Sequence, residues 1–191
     1  MQQKVDEQAR AKSIQQATKL YNSAQPIAGT LAEKYLGNVR DINYGVPIDF
    51  KFVPRCWHKD LRAPKPALLI PAYDANGKLQ SVNRIYLGSD GNKLNMAVKS
   101  PSNRLIQATQ KAVLGPSKAA TVFINKAAGS TVTYLTEGVE NALSVKQSIS
   151  NANISSCFGI GQLKNISLSP ETKTVVICAD NDGINFATKK A

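Results

Sequence analysis

The sequence is poor in the residues that hold many small proteins together. Only three cysteines occur in 191 residues, Cys56, Cys157 and Cys178, and none forms a CxxC pair. Neither a zinc ribbon nor a disulfide framework is therefore expected, no zinc is called for, and the compartment reads as reducing. Cys157 and Cys178 sit in apolar runs and read as small buried hydrophobes. A lone histidine, His58, has no partner cluster and receives no metal or catalytic role. Long hydrophobic runs are also missing: nothing approaches the roughly 18 apolar residues of a membrane span, and the polar N-terminus has no signal-like apolar stretch. A cytoplasmic protein without a membrane partner is expected. Acidic residues are scarce too, 13 against 24 Lys and Arg, for a formal net charge of +11. That excess favours a polyanionic partner, with nucleic acid foremost.

What is present is enough for a real core, since 42% of the residues are hydrophobic, and two unequal parts are expected. Ile14, Ala17, Leu20, Tyr21 and Ala24 recur at helical spacing over residues 6–24, and Pro26 ends that helix. Thr30 followed by Glu33 is a capping-box pattern that opens a short helix carrying Leu31, Tyr35 and Leu36, closed by Gly37 or Asn38. Residues 46–66, with Pro54, Pro64 and Pro66, read as irregular or edge structure. The apolar run 67–72, the turn Asp74-Ala75-Asn76-Gly77 and the alternating segment 79–87 form a β-hairpin. Two further strands are expected over 112–114 and 122–124.

After Gly129 the pattern changes to alternating strands and helices. Strands over 131–136, 154–158 and 174–179, with a helix over 139–149 and a short helical piece after Gly161, give a β-α-β-α-β order and a parallel sheet. The unalternating Val175-Val176-Ile177-Cys178-Ala179 run suits a sheet covered on both faces. The parts expected are 1–128 and 129–191.

Two acidic motifs fall at the same place in their units, directly after an apolar strand. They are Thr136-Glu137-Gly138 and Ala179-Asp180-Asn181-Asp182-Gly183. In a parallel sheet the C-terminal strand ends lie together, so Glu137, Asp180 and Asp182 can share one crevice. Clustered carboxylates repel unless neutralised, and a hard divalent cation with oxygen ligands is the usual remedy; Mg²⁺ is expected, with Mn²⁺ as a substitute. Gly138 and Gly183 suit tight turns that need positive φ or close approach of backbone to a ligand. Each motif also has a plain structural use: Glu137 can cap the following helix, and Asp180 to Gly183 can be a simple turn.

A strand ending in Glu-Gly followed by a strand ending in Asp-x-Asp resembles the two signatures of Toprim domains. The segment Glu137-Gly138-Val139-Glu140-Asn141-Ala142-Leu143 is similar to the version in plasmid and phage primases and conjugative relaxases, with Asn141 in place of the usual Thr. Upstream, Gly29-Thr30-Leu31-Ala32-Glu33-Lys34-Tyr35-Leu36 and Pro66-Ala67-Leu68-Leu69-Ile70-Pro71 are similar to the region that precedes Toprim in those proteins. The resemblance implies an α/β fold in which a Toprim-like parallel sheet flanked by helices follows a smaller, α+β subdomain of helices and β-meander. It implies that Glu137 serves as general acid or base and, with Asp180 and Asp182, as a Mg²⁺ ligand. Arg55, Lys59, Arg62, Arg84, Lys93 and Lys99 become candidates for nucleic-acid contact.

The implied function is a primase-like module joining nucleotides on single-stranded DNA in plasmid or phage replication or conjugation. The alternative is a non-catalytic single-stranded DNA-binding module of a relaxase or helicase. Strand cleavage ranks third, because no tyrosine has a context that nominates it as nucleophile. The sequence stops soon after Asp182, so a Toprim domain truncated at its C-terminus and belonging to a longer parent chain is expected.

Overall fold

The structure is a computed structural model and describes residues 2–100 and 102–179. Helix α1 (Gln2–Asn22) leads to a two-residue strand β1 (Gln25–Pro26) and a short helix α2 (Leu31–Lys34) that continues as a π-helical turn, Tyr35–Val39. Strands β2 (Lys51–His58), β3 (Ala63–Tyr73), β4 (Leu79–Tyr86) and β7 (Lys111–Leu114) join β1 in an antiparallel sheet of order β1-β2-β3-β4-β7. A separate hairpin, β5 (Ala97–Lys99) and β6 (Leu105–Gln107), lies between β4 and β7 in sequence. Its short strands in a basic segment carry too little periodicity to be foreseen.

The second sheet has the order β11-β9-β10-β8. It is built from β8 (Val122–Asn125), β9 (Val132–Thr136), β10 (Asn153–Ser156) and β11 (Thr174–Cys178). Strand β9 is parallel to both β10 and β11, while β8 runs antiparallel to β10. Helix α3 (Val139–Ser148) connects β9 to β10, and a 3₁₀ helix, Ile160–Asn165, lies between β10 and β11. This is the mixed α/β fold expected, a Toprim-type sheet after a helical and β-meander region. Strand β8, grouped with the upstream part on sequence, hydrogen-bonds into the second sheet instead.

The first sheet is buried on both faces. Along β3 the alternation is complete: Ala67 and Leu69 pack towards Ala17, Leu20 and Tyr21 of α1, while Leu68, Ile70 and Ala72 pack towards Tyr35, Leu36 and helix α3. That second core also takes in Val122 and Ile124 of β8, Val139, Ala142 and Leu143 of α3, and Ile154 of β10. Strands with period-two alternation thus serve two different apolar layers at once.

Several expectations need correction. The stretch 46–66, expected as irregular or edge structure, contributes strand over 51–58 and 63–66, with β2 an edge strand beyond the two residues that β1 pairs. Pro54 sits at a bulge between Val53 and Cys56, beyond the two residues that β1 pairs. Pro64 and Pro66 precede the point at which β4 joins β3, and Pro71 lies past the last β2 pair. Pro54, Pro64 and Pro71 therefore fall where one flanking strand is absent and a missing N–H costs nothing in the ladder, whereas Pro66 lies beside Leu87, whose N–H donates to its carbonyl at 2.9 Å. The short helix runs through Gly37 and Asn38, not ending there. Its capping differs in detail: Thr30 Oγ1 accepts from Ala32 N at 3.2 Å, but Glu33 accepts from Gly29 N at 2.8 Å instead of from Thr30. In β11, Val175 and Ile177 are exposed, so the unalternating run marks an outer strand of the sheet.

His58 is buried. Its Nε2 lies 2.8 Å from the Thr109 carbonyl and its Nδ1 accepts from Leu61 N, so it ties the β2–β3 turn to the segment before β7. Cys56 is also buried within the α1-side core. Among the described residues no helix is long and apolar enough to cross a membrane.

Gly115 follows β7 at φ +96°, and a Cβ there would run into the Gln80 carbonyl oxygen and Ser81 Cα. Gly77, in the β3–β4 turn at φ +75°, has open space around it. Gly115→Ala should lower stability by about 3 kcal/mol and Gly77→Ala by about 1 kcal/mol, measured as shifts in the urea-unfolding midpoint.

Candidate functional site

The site is set by register. Thr136, the last residue of β9, is level with Ser156 at the end of β10 and with Cys178 at the end of β11. Three parallel strands therefore finish in one row, and Glu137 is the first residue beyond it. The turn is tight because Thr136 Oγ1 donates to the Gly138 carbonyl at 2.8 Å and Ser156 Oγ donates to the Glu137 carbonyl at 3.4 Å. Asp180 and Asp182 follow Cys178 by two and four residues and lie outside the described residues, as does Gly183.

Gly138 does not need glycine for its backbone. Its φ of −108° is open to any residue, it is the N-cap of α3, and nothing lies within 4 Å of where a Cβ would be. Glycine is a favoured N-cap, and the open space beside it also leaves room for a ligand. The N-cap of α3 is Gly138, not Glu137, and Glu137 stands one residue before it, at the positive end of the helix. Among the described residues, the cations that make salt bridges do so with Glu140, not Glu137.

Glu140 is the residue that sequence reasoning passed over. It stands in the first turn of α3, almost fully buried, and one carboxylate gathers three partners from the upstream half. Lys93 Nζ lies 2.7 Å from Oε1, Lys111 Nζ 2.9 Å from Oε2, and the Tyr35 hydroxyl donates to Oε1 at 3.0 Å. Burial alone would push this carboxyl up, but the Lys111 and Lys93 ammoniums outweigh it and hold the pKa down at about 2. Burial and the same carboxylate push the Tyr35 hydroxyl far up. The only sequence sign was the second acid in Glu-Gly-x-Glu. Nothing local announces partners as remote in sequence as Tyr35.

The six basic candidates separate. Lys93 is turned inward onto Glu140, and Arg84 lies against the Tyr86 ring with Nε donating to the Ala112 carbonyl at 3.3 Å. Arg55, Lys59, Arg62 and Lys99 are exposed. Arg55 shares its side of β2 with Trp57, which is 59% exposed, and Lys59 and Arg62 occupy the adjoining turn.

Between β4 and β7 of the first sheet and the turns after β9 and β10 runs a crevice of about 340 Å³. Asn83 and Lys111 form one wall; Glu137, Gly138 and Gly159 form the other. Polar groups of both signs beside a free carboxylate suit a charged ligand and a hard cation. Among the described residues no group of three potential metal ligands is assembled.

Glu140→Gln should cost about 2 kcal/mol at pH 7, less than a fully enclosed pair would because both lysines can turn towards water. The carboxyl is depressed from 4.5 to about 2 in the folded protein. Its stabilisation is thus fully present above about pH 4.5 and lost as pH falls towards 2. Denaturant titrations at pH 7 and pH 3 should show wild type and variant converging at the lower pH.

A family model described as Domain of unknown function (DUF7146) matches residues 11–124, and one described as Toprim domain matches residues 132–191. No curated protein matches the chain. The Toprim match spans β9, α3, β10, β11 and both acidic motifs, and it makes the function nucleic-acid-related, in a class of domain that generally binds Mg²⁺. The chain belongs to the DUF7146 family, and a Toprim domain follows that region.

Proposed function

We propose that the chain is a primase-like module that joins nucleotides on single-stranded DNA. The observation that carries this reading is the level ending of β9, β10 and β11. Glu137 leaves that row directly, and Asp180 follows Cys178 after one intervening residue, within about 7 Å of chain. Glu137, Asp180 and Asp182 are all hard oxygen donors of the kind Mg²⁺ takes, and the open space at Gly138 leaves room beside them. Bound there, Mg²⁺ would supply charge neutralisation for a transferring phosphoryl group. Glu137, with no lysine or arginine paired to it among the described residues, is the group placed to accept or return a proton. The basic surface supplies strand affinity. We extend the same reading to domain limits of 1–128 and 129–191, with β8 of the first part completing the sheet of the second, and to a plasmid or phage setting.

A second reading has its own support in Trp57. An exposed tryptophan flanked by Arg55, Lys59 and Arg62 is a stacking platform with phosphate contacts beside it, the usual equipment for sequence-tolerant binding of single strands. In this reading the module holds DNA without reacting.

The two separate experimentally. With a single-stranded template, nucleoside triphosphates and Mg²⁺, the catalytic reading expects extended products that fall at least about a hundredfold in Glu137→Gln. Trp57 is the only tryptophan, so its fluorescence reports binding directly. Oligo-dT should quench it, with affinity falling as salt rises, by about 0.7 in log-log slope for each phosphate neutralised. Salt-sensitive quenching in Glu137→Gln, with no product from wild type, selects the binding module. Absence of both signals sinks the proposal.

A further inference from the structure

The crevice beside Glu137 contains an unexplained polar atom. Along β4 the side chains alternate: Val82 and Tyr86 face the α1 core, and Ile85 faces the core shared with α3. Asn83 falls on the α3 side, is 8% exposed, and lines the crevice. Its Oδ1 is buried without a hydrogen-bond partner, and so is Oγ of Ser81, two residues earlier on the same face. A buried amide oxygen left unpaired is costly, and an apolar residue of similar size would avoid the penalty. A polar residue kept there points to a partner that arrives with a ligand. Oδ1 accepts, so that partner must donate: a sugar hydroxyl or a base N–H.

The wall beside Asn83 offers the opposite chemistry. Lys111 opens β7, where Asn83 pairs with Val113 and Arg84 with Ala112. Its side chain is 41% exposed, and its ammonium is held at one point by Glu140 Oε2. An ammonium has three N–H donors, and one bond to Glu140 leaves two for an incoming anion. The Lys93, Lys111 and Glu140 group carries one net positive charge and faces the Glu137 carboxylate across the crevice. The N-terminus of the ten-residue helix α3, whose N-cap Gly138 carries no side chain, lines the same space through Gly138 and Val139, and its dipole adds to the attraction for an anion.

We propose that this crevice binds a nucleoside triphosphate, with Lys111 contacting a phosphate, Asn83 Oδ1 accepting from the sugar or base, and Glu140 acting as the positioning residue for Lys111. An internal phosphate of a DNA strand can offer Asn83 only a base N–H, whereas a free nucleoside triphosphate offers sugar hydroxyls as well, beside the more highly charged phosphates that suit Lys111. The crevice volume lies in the range of small-molecule sites. This rests on the Toprim reading for its neighbour Glu137, but the two fail separately.

The test is ATP binding to this chain by calorimetry in EDTA, with inorganic triphosphate as the second probe. Asn83→Leu should weaken ATP about tenfold and leave triphosphate unchanged, and Lys111→Met should weaken both about tenfold. Lys111→Arg should restore both, and it guards against loss through misfolding, as does near-ultraviolet circular dichroism of each variant. Glu140→Gln should weaken both probes less than Lys111→Met does, with Lys111→Arg unaffected. ATP binding equal in wild type and Asn83→Leu, triphosphate weakened by Asn83→Leu, or no ATP binding at millimolar concentration would each overturn the proposal. Mn²⁺ binding on the same samples keeps the two ideas apart. Its presence beside an indifferent Asn83 removes only the nucleotide crevice; its absence beside Asn83-dependent ATP binding removes only the metal-based reading.

Discussion

One buried carboxylate holds the two halves of this molecule in register. Glu140 sits at the rim of the core shared by the first sheet and α3, and its two oxygens accept from Lys93, Lys111 and Tyr35. Burying it is tolerable only because two ammoniums and a hydroxyl replace the water it gives up. The geometry also works in reverse, since without Glu140 two lysines would face each other at the edge of an apolar layer. The apolar contacts of Leu68, Ile70 and Ile85 with Val139, Ala142 and Leu143 supply the bulk of the attraction between the halves. Being non-directional, they do not fix rotation of α3 about its axis. The charged cluster does, and the orientation of α3 sets where the preceding Glu137 stands.

The second constraint is the parallel ladder. Three strands level at Thr136, Ser156 and Cys178 leave little freedom in where the chain emerges. The chain that leaves β9 at Glu137 and the chain that leaves β11 after Cys178 thereby emerge at one edge. At that edge the crevice sets the Glu137 carboxylate on one wall against Lys111, held by Glu140, and the buried Asn83 amide on the other.

The strands and α3 of the Toprim part were legible because their signals are local: apolar runs of strand length, a helical repeat from Val139, and Gly at the turns. The same holds for the β3–β4 hairpin with its Asp74 to Gly77 turn. For residues 46–66 the choice between irregular and edge structure stayed open because proline content does not tell which side of each strand is flanked, a tertiary fact. Strand β8 was foreseen as a strand of the upstream part, but its pairing with β10 was not legible, because an antiparallel neighbour can be supplied from either direction in sequence. At the site, Glu137 and the two aspartates stood out because they follow apolar strands. Glu140, Lys111 and Asn83 did not. Lys111 and Asn83 are isolated polar residues next to or within apolar strands, and their significance comes only from pairing across the interface between sheets.

The account stands on Glu137 converging with Asp180 and Asp182 around a divalent cation. Anomalous scattering from crystals of this chain soaked in Mn²⁺ addresses that most directly. A single peak bridging the Glu137 carboxylate and at least one of the two aspartates, at the shared end of β9 and β11, is the predicted result. Mn²⁺ bound elsewhere, with Glu137 turned away from both aspartates in the same crystals, would contradict it.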